Sequence, residues 1–158
     1  MIENVTEAFL PGCLDLIHTA CGTVAEEFGL TKENCPTNGA FMPLARLQAE
    51  FAAASAAYAY MEDGRPIGFA MLCPRPGEAY KLEKLAVLPG YRRQGIGAKL
   101  VSHVCQEARA LGGKRLLIGI IEENTRLRAW YESQGFVHVG IEKIPQLPFT
   151  VGHMERRL

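Results

Sequence analysis

Residues 80–100 constrain the fold of this chain more than any other stretch. Tyr80-Lys81-Leu82-Glu83-Lys84-Leu85-Ala86-Val87-Leu88 reads as a strand, and Pro89-Gly90 as a turn. Arg92-Arg93-Gln94-Gly95-Ile96-Gly97 is then a basic glycine loop. From Gly97 to Leu111 the residues Leu100, Val101, Val104, Ala108 and Leu111 recur at helical spacing, and Gly112-Gly113 stops the helix. A strand that feeds a helix through a cationic glycine loop is an anion cradle. The first helical N–H groups have no intrahelical acceptor, and the helix dipole favours negative charge there. Glycine lets a phosphate approach the backbone and supplies positive φ where the loop needs it.

The ligand class is therefore a phosphate, best read as the pyrophosphate of a nucleotide-like cofactor. Two common phosphate motifs fail on particular residues. Gly90 and Gly95 have the spacing of a P-loop, but Ile96-Gly97 stands where Lys-Ser/Thr should follow, so nothing remains for a γ-phosphate or magnesium. Gly95-Ile96-Gly97 opens a dinucleotide fingerprint, yet Leu100 occupies its third glycine position.

The surrounding chain predicts an α/β (α+β) domain spanning residues 1–158, with a mixed sheet of six to seven strands. A short edge strand falls within the first ten residues. Leu14, Ile17, Cys21, Val24 and Phe28 give a helix from Leu14 to Phe28, and Thr31 to Asn34 a capped turn. Leu44, Leu47 and Phe51 give a second helix over Pro43–Ala53. Ala56–Glu62, Pro66–Cys73 and Glu78–Leu88 form an antiparallel meander around Asp63-Gly64 and Pro74–Gly77. Period-two counting puts Lys81, Glu83, Leu85 and Val87 on one face of its last strand, and Leu82, Lys84, Ala86 and Leu88 on the other. Apolar residues on both faces of its second half mark a central strand, covered on both sides. Arg115–Ile121 is a buried strand, parallel to that one because a helix connects them. Asn124–Gln134 is a short helix, and Phe136–Ile144 with Phe149–Arg157 a closing hairpin.

Lys+Arg and Asp+Glu are 17 each, so the formal charge is zero, which argues against broad binding to nucleic acid or to an anionic membrane. Five scattered cysteines without a Cys-x-x-Cys pair predict neither a disulfide framework nor a metal site. Uncharged stretches run to about a dozen residues, short of the ~18 of a membrane span. Met1-Ile2-Glu3-Asn4 lacks a signal-peptide pattern, and the chain reads as cytoplasmic.

Leu85-x-Val87-x-Pro89 followed by Arg92-x-x-Gly95-x-Gly97 resembles the coenzyme-A-binding segment of the GNAT acyltransferase superfamily. Asn124-x6-Tyr131-x3-Gly135-Phe136 is similar to that superfamily's fourth-helix signature. Seven residues are two helical turns, so Asn124 and Tyr131 share a face. The resemblance runs from Tyr80 to Phe136 and implies a largely antiparallel sheet with helices on both faces. Its two parallel central strands would splay apart at the coenzyme site. It also implies acetyl-CoA as cosubstrate, no metal, and transfer of an acetyl group to a primary amine by direct attack.

Residue by residue, the resemblance implies that N–H groups of Gln94, Gly95, Ile96, Gly97 and Ala98 hold the diphosphate, with Arg92 and Arg93 adding charge. The free edge of Leu85-Ala86-Val87 would pair with the pantetheine amides. Asn124 would hold the pantetheine arm, and the Tyr131 hydroxyl would protonate the leaving thiolate. The bland reading makes Asn124 a helix N-cap and Tyr131 a packed aromatic.

Many members of the superfamily carry a glutamate five residues before the asparagine; here that position is Gly119. Glu83 is the substitute base, on the argument that it shares a face with Leu85 and Val87. A salt bridge to Lys81 is its competing role. His138 and His153 are either acceptor-pocket residues or structural ones. The acceptor is read as an unidentified amine, a small molecule in preference to a large partner. A non-catalytic acyl-CoA sensor or assembly module of the same fold is the alternative, and the oligomeric state stays open, a homodimer included.

Overall fold

A computed structural model describes all 158 residues. The strands are β1 (Ile2–Asn4), β2 (Ala56–Glu62), β3 (Arg65–Arg75), β4 (Ala79–Val87), β5 (Arg115–Ile121), β6 (Val137–Lys143) and β7 (Thr150–Arg157). The helices are α1 (Leu10–Glu27), α2 (Leu44–Ala53), α3 (Ile96–Ala110) and α4 (Thr125–Ser133). All seven strands form one sheet in the order β1-β2-β3-β4-β5-β7-β6, with β4 and β5 its parallel pair. The expected mixed, largely antiparallel sheet is therefore observed, and β1 is its edge strand.

Two cores sandwich the sheet. Leu100, Val101, Val104 and Ala108 of α3 pack with Tyr131, Phe136 and the sheet residues Leu72, Leu82, Leu116 and Ile118 on one side. Leu10, Cys13, Leu16 and Ile17 of α1 pack with Leu47 of α2 and with Ala57, Ala59, Phe69 and Met71 on the other. The segment Glu7–Glu27 is long and apolar enough to cross a membrane by length and composition, a property the count of uncharged stretches missed because Asp15 interrupts it. In this fold its apolar face is core: Leu10, Cys13 and Ile17 are wholly buried against the sheet. α1 also starts four residues earlier than Leu14. Pro11 sits in its first turn, where a missing N–H costs nothing.

Two details of β4 matter for the site. Its parallel pairing with β5 covers only Ala79↔Arg115, Tyr80↔Leu116 and Lys81↔Leu117, and beyond Lys81 the two strands separate. The expected splay is present. On the other edge, Phe69 faces Ala86 and Met71 faces Glu83, so Ala70 alone opposes both Lys84 and Leu85. This is a β-bulge, and Lys84 sits in it at φ +55°.

The bulge overturns the period-two assignment. Met71 belongs to the α1/α2 core, so its cross-strand partner Glu83 faces that side. Leu85 and Val87 pack against the α3/α4 core. Glu83 and the pair Leu85/Val87 are therefore on opposite faces, because the extra residue reverses the alternation.

Candidate active site

The loop before α3 places two residues in the left-handed region, Arg93 at φ +63° and Gly95 at φ +79°. Gly95 is the helix N-cap, and no atom lies within 4 Å of where its Cβ would stand. The first helical bond runs from Lys99 N–H to the Gly95 carbonyl at 3.0 Å. The N–H groups of Arg93, Gln94, Gly95, Ile96, Gly97 and Ala98 donate to nothing in the chain. An open cradle of six free donors at the N-terminus of a fifteen-residue helix suits a diphosphate in charge and shape.

Gly97 is required for a different reason. A Cβ there would stand 3.2 Å from Cζ2 of Trp130 and 4.0 Å from Cγ2 of Val87. The first turn of α3 thus rests against α4 and the end of β4, which sets the cradle at the mouth of the splay. Trp130 was not foreseen as a site residue. No motif marks it; only its packing against Gly97 does.

Arg92 and Arg93 divide their work. Arg92 reaches back to α1, where Nη2 donates to the Ala20 carbonyl at 3.1 Å and to Thr23 Oγ1 at 3.0 Å. Its Nε donates to the Val87 carbonyl at 3.2 Å. Arg92 therefore ties α1 to the end of β4, and one carbonyl on the splayed edge is already engaged. Arg93 is exposed and has no partner in the chain, so it is the cation left free at the cradle.

Asn124 is buried and caps α4: its Oδ1 accepts from Leu127 N–H at 3.2 Å, while its Nδ2 donates to nothing. The capping role is thus occupied and the amide nitrogen is free. Tyr131 packs edge-on against Trp130 (centroids 4.9 Å) and Phe136 (5.4 Å). Its hydroxyl has no partner in the chain, and burial pushes its phenol well above the usual tyrosine range. A phenol so placed stays protonated throughout the physiological range, as a proton donor must.

On the opposite face of the sheet, Glu83 Oε1 takes both Arg75 Nη2 at 3.1 Å and Lys81 Nζ at 3.3 Å. The pairing with Lys81 weighed from the sequence is present, and Arg75 adds to it. A second trio lies beside it: Lys84 Nζ meets Glu50 Oε2 at 2.5 Å, and Arg46 Nε meets Glu50 Oε1 at 3.1 Å. Burial alone would raise the Glu50 carboxyl, but the hydrogen bond and charge of Lys84, with Arg46, outweigh it and hold the group below its ordinary value. His138 Nε2 lies 2.8 Å from Glu122 Oε2, and His153 Nε2 lies 2.9 Å from Glu142 Oε1, so both histidines have carboxylate partners within the closing hairpin and its neighbour. No group of three or more His, Cys, Asp or Glu side chains is arranged to hold a metal ion.

The sequence profile of the acetyltransferase (GNAT) family matches residues 25–136. This chain belongs to the GNAT family. An uncharacterised N-acetyltransferase of Mycobacterium tuberculosis is 36% identical over 74 residues, 47% of each protein. An amino-acid acetyltransferase of Ralstonia nicotianae is 34% identical over 96 residues, 60% of this chain and 20% of that protein. The match thus spans about half the length of the mycobacterial relative and a fifth of the other. Among solved structures, a GNAT acetyltransferase from Elizabethkingia anophelis with acetyl-CoA bound superposes with a TM-score of 0.74, at 21% identity. That superposition covers 100% of this chain and 97% of the other. The fold of this GNAT chain is thus shared with a coenzyme-bound relative across its whole length.

Proposed function

We propose that this GNAT chain is an N-acetyltransferase that moves an acetyl group from acetyl-CoA to a primary amine by direct attack. The observation that carries the reading is the row of free N–H groups from Arg93 to Ala98 at the mouth of the β4/β5 splay. The diphosphate sits on that row with Arg93 as its counter-charge, and the pantetheine arm runs along the separated edge of Leu85-Ala86-Val87. Asn124 Nδ2 is the free donor for the arm. Acetyl-CoA supplies the activated acyl group. The amine enters from the face of the sheet that carries Glu83, where Glu83, Lys81 and Arg75 stay partly exposed beside α1 and α2.

An alkylammonium with a pKa of about 10 must lose its proton before it can attack. Glu83 is the carboxylate on the acceptor face for that task, and Tyr131 gives its proton to the departing thiolate. The test is acetyl transfer from acetyl-CoA to a panel of small primary amines, followed by thiol release. A second reading, an acyl-CoA sensor without turnover, is favoured by two observations: two cations hold Glu83, and position 119 offers no carboxylate. Acetyl-CoA binding with no transfer to any amine selects it.

A further inference from the structure

The acceptor face carries a local excess of cations around two of its carboxylates. Formal charge over 158 residues is zero. Yet at the base of the splay Arg75 and Lys81 share a single carboxylate oxygen of Glu83, so +1 and +1 meet −1 and leave +1. The neighbouring trio of Arg46, Lys84 and Glu50 leaves another +1 by the same sum. On the same face Glu155 is paired with Arg115, and Glu142 with His153 opposite Gly119, so the excess of cations is local to the two trios around Glu83 and Glu50.

Lys81 is the cation placed to use this. It is the last residue of β4 still paired with β5, opposite Leu117. Its side chain leans forward along β5, so that Nζ lies 3.8 Å from where a Cβ of Gly119 would stand. Gly119 is two residues beyond Leu117, about 6.6 Å further into the splay at ~3.3 Å per residue. Gly119 is exposed, and with no side chain there the Lys81 ammonium and a Val151 methyl group, 3.7 Å from the same point, both lie over bare backbone. An ammonium with a methyl group near it on an open strand surface suits a carboxylate attached to a short carbon chain.

We infer that Lys81, beside Gly119, binds a carboxylate of the acceptor, which makes the acceptor an amino acid or a similar small amino-carboxylate. The inference rests on the acetyl-transfer reading above and narrows its substrate class. The Glu83 oxygen that Lys81 shares with Arg75 stays with Arg75 when the carboxylate arrives, so no charge is left stranded.

The experiment compares free α-amino acids with their primary amides as acceptors, for the wild-type chain, Lys81→Gln and Lys81→Arg. Wild type should favour the free acids by at least tenfold in kcat/KM. Lys81→Gln should level that preference, Lys81→Arg should retain most of it, and KM for acetyl-CoA should stay unchanged in all three. A preference that survives Lys81→Gln, or amides used as well as acids by wild type, overturns the inference and leaves acetyl transfer standing. A parallel calorimetric titration of N-acetyl amino acids into the CoA-loaded protein separates the remaining cases. Lys81-dependent binding without any turnover supports the carboxylate site and removes the catalytic reading. No turnover together with no Lys81-dependent binding overturns both.

Discussion

Tyr131→Phe separates chemistry from packing at one oxygen atom. The ring keeps its edge-on contacts with Trp130 and Phe136, and the lost hydroxyl has no partner in the chain. Stability should therefore change by no more than about 0.5 kcal/mol, within the range of substitutions that strand no buried group. Acetyl-CoA affinity should also hold, because the diphosphate cradle is on a different element. The chemical step loses its acid. Burial keeps the phenol of wild-type Tyr131 protonated at every working pH, so the donor is always present, and its removal should cost on the order of 10²-fold, about 2.7 kcal/mol. The loss should appear in kcat and not in KM for acetyl-CoA. Single-turnover transfer from acetyl-CoA and from an acyl donor with a more acidic thiol decides the role, since a better leaving group needs less protonation and the defect should shrink. A mutant equally slow with both donors makes Tyr131 a positioning residue, and a mutant at wild-type rate refutes the acid altogether.

Arg92→Ala removes three hydrogen bonds that join α1 to the end of β4, and should cost about 1–2 kcal/mol, read as a fall of several degrees in Tm. A melt unchanged within 1 °C would show that exposed Arg92 ties nothing down. Glu83→Gln should lower the transfer rate by roughly 10²-fold with acetyl-CoA binding kept, and should move the acidic limb of the pH–rate profile; wild-type turnover across that range makes Glu83 a structural charge. Glu50 is held below its ordinary carboxyl value of 4.5, so its contribution to stability is present above that pH and is lost as pH falls through the lower folded value. Glu50→Gln should therefore be less stable than wild type at pH 7, and denaturant melts should show the two converging on acidification below about pH 4.

How much could be read from the sequence depended on how local each feature is. The cradle was legible because strand, glycine loop and amphipathic helix adjoin, and each has its own short-range signal. The parallel pair followed from the intervening helix. The bulge was not legible: Lys84 at φ +55° carries no residue signal, and one extra residue turned Glu83 away from Leu85 and Val87. β3 continues through Pro74 to Arg75 because Pro74 lies near the strand's end, opposite Tyr80, where a missing N–H is tolerated. The neighbours of Arg92 in sequence point to a phosphate, while its partners within the chain, Ala20 and Thr23, are about seventy residues away and have no local signal. Gly119 could be read from the sequence only as a missing glutamate. The Lys81 ammonium beside it emerged from the register of β4 against β5.

The central claim is that the loop into α3 holds the diphosphate of acetyl-CoA on bare N–H groups. Calorimetric titration of acetyl-CoA into wild type, Gly95→Asn and Gly95→Asp tests it most directly. Both substitutions bear the same strain at φ +79° and place a side chain of nearly the same size in the open cradle, so they differ in charge alone. The account predicts at least a tenfold loss for Gly95→Asp relative to wild type, about 1.4 kcal/mol, with Gly95→Asn in between. Wild-type affinity in a folded Gly95→Asp protein would contradict it.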